Sequence, residues 1–266
     1  MDLQSIKITR VIRRMRGRSQ SFLVQAEDDH FYVAKFCGNP QGNRTLINEW
    51  LGHRILTYLG ILVPPQRTLR IDKLATGREQ LCFTVGNRTV PICGDIHFGS
   101  RVPVDPTMTA IFDFLPRTLL GRISNSGDFA KTFVVDKWLG QTDVRQAIFV
   151  RDEGRPRELA FKGYFIDNGM LFAGTQWRFF DSTSCGLYID SAVYASSEME
   201  FICKQTIRNL SKITVVDLNA AFEEVPQCWL GPDDTKNFDC LLSALTKRHD
   251  LLPDMISRHL ECLVPR

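Results

Sequence analysis

No stretch of this 266-residue chain approaches the run of about 18–20 apolar residues needed to cross a bilayer. Its start, MDLQSIKITRV, lacks the apolar segment of a secretory signal, so a cytoplasmic protein with no membrane span is expected. Eight cysteines are scattered without a CxxC pair, which argues against a zinc site and against a disulfide framework and predicts reduced, mostly buried thiols. Five histidines show no HExxH or comparable spacing, which argues against a zinc hydrolase. Internal repeats and low-complexity tracts are missing as well. So is a strong charge of either sign: the formal net charge is +3, too small to predict nucleic-acid binding. Lys7, Arg10, Arg13, Arg14, Arg16 and Arg18 do crowd near the start, as a solvated basic edge or as a phosphate-facing surface.

What is present is the balance of a folded globular protein, 44% hydrophobic and 24% charged. The length allows one large domain or two modest lobes. The segment SFLVQAEDDHFYVAKF reads as a hairpin whose second run ends at Lys35. Beyond it, Ile47, Leu51, Ile55 and Tyr58 recur at helical spacing, with Asn43 placed to cap and Gly60 to terminate. The β-branched and aromatic residues that follow, up to TAIFDFLP at 109–116, predict more sheet. From there the pattern turns helical, and SSEMEFICKQTIRNL, VVDLNAAFEEV, DTKNFDCLLSALTKRHD and LLPDMISRHLECL each predict a helix. An α+β class with a β-rich lobe over 1–115 and a mainly helical lobe over 116–266 is therefore expected.

Four charged residues carry the chemistry. Glu49 lies near the apolar side of its helix, where an unpaired carboxylate is costly. AIFV and AFKGYFID flank the charged turn RDEGRPREL, and a turn centred near Gly154 and Arg155 would place Asp143 opposite Ile166, beside Asp167. Two such carboxylates need a cation, a shared proton or wide separation. A strand lysine, a helix carboxylate and two aspartates, here Lys35, Glu49, Asp143 and Asp167, are the parts of a phosphoryl-transfer site. A buried structural ion pair is the rival account of Lys35 and Glu49. In VVDKWLGQTDVRQAIFV, Asp136 reads as structural or surface-facing.

The stretches RGRSQSFLV, FYVAKF, NPQGNRTLINEWLGHRIL, DKWLGQTDVRQAIF and YFIDNGMLF resemble the HipA-like kinases, enzymes of the protein-kinase-like fold distantly similar to phosphoinositide kinases. The resemblance implies a two-lobed kinase using ATP and magnesium. It places Ser19, Gln20 and Ser21 in a phosphate loop and Lys35 on the phosphates. Asp143 would be the catalytic aspartate and Asp167 the metal ligand. Ile111, Phe112, Asp113, Phe114 and Leu115 would form the hinge against adenine. Arg145 would stabilise the transferring phosphoryl group or pair with a nearby acid. The pattern departs from the family at Gln141, Arg145 and Ile148, where asparagine, histidine and a metal-binding asparagine are usual. Isoleucine cannot ligate magnesium, so the second ligand is Gln146 or is missing. The implied acceptor is a hydroxyl, Ser or Thr of a protein substrate or of the chain itself. A catalytically impaired nucleotide-binding module and a small-molecule or lipid head-group kinase are the alternatives.

Overall fold

A computed structural model describes residues 5–71, 81–155, 157–180 and 186–263 of the chain. The strands β1 (Ile6–Arg14), β2 (Phe22–Ala26) and β3 (Phe31–Lys35) precede α1 (Arg44–Tyr58). Four more follow it: β4 (Gln66–Ile71), β5 (Cys82–Val85), β6 (Arg88–Pro91) and β7 (His97–Arg101). Strands β1, β2, β3, β7 and β4 close into a barrel, sealed by the parallel pairing of β1 with β4. The expected hairpin is β2–β3, with Phe22 opposite Ala34. Ile8, Val24, Tyr32, Ala34 and Leu69 are buried in a hydrophobic cluster that belongs to the barrel.

Next come β8 (Ile111–Phe112), α2 (Arg117–Leu120), α3 (Gly127–Leu139), β9 (Gln146–Arg151) and β10 (Phe161–Ile166). Helices α4 (Met199–Leu210), α5 (Val215–Glu223) and α6 (Asp234–Leu263) complete the chain. The sheet predicted over 109–116 shrinks to β8, an edge strand on β9. The β9–β10 hairpin forms, but Gln146 rather than Asp143 faces Ile166. Its strands stop at Arg151 and Phe161, so the pairing centre lies beyond Gly154 and leaves Asp143 in the loop before β9.

The two helices predicted around Pro253 are one continuous α6. A proline inside a helix loses one amide bond and crowds the carbonyl four residues back, but Leu252 and Ile256 on either side of it are buried, which holds the helix together there. Arg248 of α6 donates to the carbonyls of Lys137 and Trp138 at the end of α3, at 2.7 and 2.9 Å. Among the described cysteines only Cys37 and Cys203 are buried, while Cys93, Cys228 and Cys240 are exposed, contrary to expectation. Cys185 and the Cys262 side chain lie outside the described residues. No helix among the described residues is long and apolar enough to cross a membrane.

Helix α1 sits where expected, but two of its details differ. Asn43 does not cap it; its Oδ1 accepts instead from the Gly38 amide at 2.8 Å, bracing the loop after β3. Tyr58 is 56% exposed, and the buried face is completed by Leu46, Trp50 and Leu56. Gly52 lets α1 press on the segment after β10: a Cβ there would meet Leu171 and lie 2.8 Å from Asn168 Cβ. Gly52→Ala is expected to destabilise the fold by about 1–3 kcal/mol through overpacking. Urea unfolding checks this as a lower midpoint at unchanged slope; an unchanged midpoint would mean that helix and segment have room to part.

Candidate functional site

Lys35 ends β3 and points its ammonium between two acids that come from distant parts of the chain. It pairs with Glu49 of α1 and lies 2.8 Å from Asp167 Oδ1, just after β10. The lysine and glutamate side chains are only 11% and 4% exposed. Burial alone would lower the Lys35 pKa, but the charges of Asp167 and Glu49 outweigh it and raise it. Reciprocally, the Lys35 charge holds Asp167 below the ordinary carboxylate range.

Asp167 reaches the lysine from a left-handed backbone, φ 63°, which aspartate tolerates better than most residues. The strained turn is held by its neighbours. The Asn168 amide donates to Glu49 Oε2 at 3.0 Å, and Gln141 Nε2 donates to the Asp167 carbonyl at 3.2 Å. Arg145 donates to the Ile166 carbonyl at 3.0 Å and to Asn168 Oδ1 at 2.9 Å. Beyond it, Asn48 Nδ2 donates to the carbonyls of Gly169 and Leu171, both at 2.9 Å. Asn48 is a supporting residue that pattern reading missed; a buried amide in LINEWL, next to the equally anomalous Glu49, is the signal that could have found it.

Arg145 does not face a transferring group. Its side chain is 1% exposed and doubly bonded to Asp136 of α3, with Nε 2.8 Å from Oδ2. Asp136 is likewise buried rather than surface-facing. Each charge needs the other once removed from water. Removing one would strand its partner.

A cavity of about 650 Å³ opens between the barrel and β9–β10, lined by Lys35, Glu49, Asp143, Gln146 and Asp167 together with apolar Leu23, Val33, Val63, Ile148 and Phe165. That volume is in the range of small-molecule and cofactor sites. Ser19 and Ser21 also line it. Their loop is pinned by Asn39 Nδ2 to the Ser19 carbonyl at 2.5 Å and by the Met15 amide to the Ser21 carbonyl at 2.8 Å. Gly17 adopts φ 120°, which side chains rarely allow. Gln20 turns away instead: its amide exchanges two 2.7 Å bonds with the Thr84 backbone of β5. Of the expected hinge, Ile111 and Asp113 line the cavity with the preceding Thr109 and Ala110. Phe112 packs on Phe161, Phe114 is 69% exposed and Leu115 is buried in the core, because the chain leaves the cavity to join β9.

Asp143 is pushed up by burial and by the charge of Asp167. Gln146 Nε2 donates to Asp167 Oδ2 at 3.0 Å. Each Asp167 oxygen thus accepts one bond and keeps further capacity. Two carboxylates and an amide oxygen are hard donors of the kind magnesium takes, while Ile148 offers only carbon. No group of three or more His, Cys, Asp or Glu among the described residues forms a metal site alone. The donor set therefore fits a magnesium ion whose shell is completed by water and phosphate oxygens. For the buried pair beneath, Arg145→Ala is expected to cost about 3–5 kcal/mol of stability in urea unfolding. A residue acting only on substrate would leave the midpoint unchanged.

Residues 8–103 match the family model described as HipA-like kinase. No curated protein matches the chain in sequence. Among solved structures, Fam20 from hydra, determined with sugar, is similar at TM-score 0.59 and 14% identity, covering 97% of this chain and 86% of that one. The proinflammatory kinase CtkA of Helicobacter pylori gives 0.57 and 14%, over 97% of this chain and 99% of that one. The Golgi casein kinase with Mn/ADP bound gives 0.52 and 13%, over 96% and 74%. The chain thus carries a HipA-like kinase pattern over residues 8–103 and, over nearly its whole length, the protein-kinase-like fold of these structures.

Proposed function

We propose that the protein is a two-lobed kinase that transfers the γ-phosphoryl group of ATP to a hydroxyl, Ser or Thr of a protein substrate or of the chain itself. Residues 1–115 and 116–266 would be the lobes, with the cavity between them. The observation that carries this reading is the Lys35 ammonium held by Glu49 and Asp167 in one cavity with Asp143. The match to HipA-like kinases and the likeness to a kinase solved with Mn/ADP support nucleotide and metal use.

The residues divide the work by position. Ser19 and Ser21 hold the phosphates from the loop side and Lys35 from below. Adenine lies against Val33, Val63 and Phe165, near the backbone of residues 109–113. Asp143 accepts a hydrogen bond from the acceptor hydroxyl and orients it in line with the terminal phosphate. Asp167 and Gln146 are the residues that would hold magnesium, which when bound offsets phosphate charge. Most of the rate comes from positioning and charge neutralisation, since phosphoryl transfer asks little covalent chemistry of the protein.

Ile148 favours a second reading, a nucleotide-binding module impaired in catalysis, because it brings methyl groups to the cavity where the family carries an amide. Radiolabelled ATP with magnesium separates the two. Wild type is expected to turn over ATP or transfer label, and Asp143→Asn and Asp167→Asn to lose at least about 100-fold while remaining folded. Wild type that binds ATP without turning it over, with any hydroxyl acceptor or itself, would leave the module reading standing alone.

A further inference from the structure

The cavity is lined by more positive charge than Lys35 supplies. Arg13, Arg16, Arg18 and Arg101 also line it. Lys35 shares its charge with two carboxylates and Arg145 is buried with Asp136, which leaves the terminal phosphate without a cation of its own. Resting on the kinase reading, we propose that Arg18 binds the terminal phosphate of the nucleotide and is the residue that distinguishes triphosphate from diphosphate.

Its position argues for this role. Arg18 sits between Gly17 and Ser19, in the loop whose carbonyls are tied down by Asn39 and Met15. The loop's base is fixed by these bonds, while the Arg18 side chain is exposed. Among the described residues the Arg18 guanidinium has no hydrogen-bond or ion-pair partner. Of the arginines at the cavity, Arg18 is the one whose charge bears on Asp143. Asp143 marks where the acceptor hydroxyl meets the terminal phosphate, so a cation acting there lies at the far end of the phosphate chain. A guanidinium can bond two phosphate oxygens at once, which an ammonium cannot do.

Calorimetric titration of the full chain, in magnesium, with ADP and with a non-hydrolysable ATP analogue tests the assignment. Arg18→Ala is expected to weaken the triphosphate analogue about 10- to 100-fold, the range of a charge-assisted hydrogen bond, while ADP affinity stays within about threefold. Arg18→Lys is expected to recover part of the loss. Arg10→Ala, exposed on β1 and outside the cavity, serves as the control for general loss of positive charge. Equal weakening of both nucleotides, or no change in either, would overturn the role of Arg18 and leave the kinase reading intact. Wild type that binds neither nucleotide would overturn both.

Discussion

A lysine ammonium removed from water needs counter-charge, and here two carboxylates supply it from 14 and 132 residues away in sequence. Because Lys35 belongs to β3, Glu49 to α1 and Asp167 to the turn after β10, satisfying that one charge fixes how the barrel, the helix and the hairpin meet. The close seat of α1 at Gly52, the Asn48 bonds to the turn and the Arg145–Asp136 pair beneath it all serve to keep Asp167 within reach.

The same cluster sets what the cavity can accept. Glu49, Asp143 and Asp167 bring three carboxyl groups against the one ammonium of Lys35, while Arg13, Arg16, Arg18 and Arg101 also line the cavity. A polyanion lying there is attracted by the arginines and needs a cation at the carboxylates. A nucleotide with a divalent ion has that charge distribution, which is why the proposed kinase reading suits this site. With Ile148 offering only carbon, Asp167 and Gln146 are left to hold the proposed metal, which places more weight on the protein's own cations.

Much of this was legible in the sequence because burial makes stray charges informative. Glu49 in an apolar helix and Lys35 at the end of a β-rich run each needed a partner, and each has one. Local pattern was a poorer guide to register: the turn residues suggested a hairpin centred near Gly154 and Arg155, but the paired strands are centred further along the chain and Asp143 falls outside them. Arg145 illustrates a second limit. Its neighbours in sequence are site residues, yet its side chain turns inward to Asp136, a contact that only the packing of α3 against the loop before β9 determines. Gln20 and Phe112 likewise sit in segments that border the cavity while their side chains answer to β5 and Phe161.

The most direct test of the central claim is a crystal structure of the protein with magnesium and a non-hydrolysable ATP analogue. Phosphates are expected between Lys35 and the loop of residues 17–21, with the metal on Asp167. An analogue bound elsewhere, or a Lys35 ammonium touching only Glu49 and Asp167 with no phosphate beside it, would contradict it.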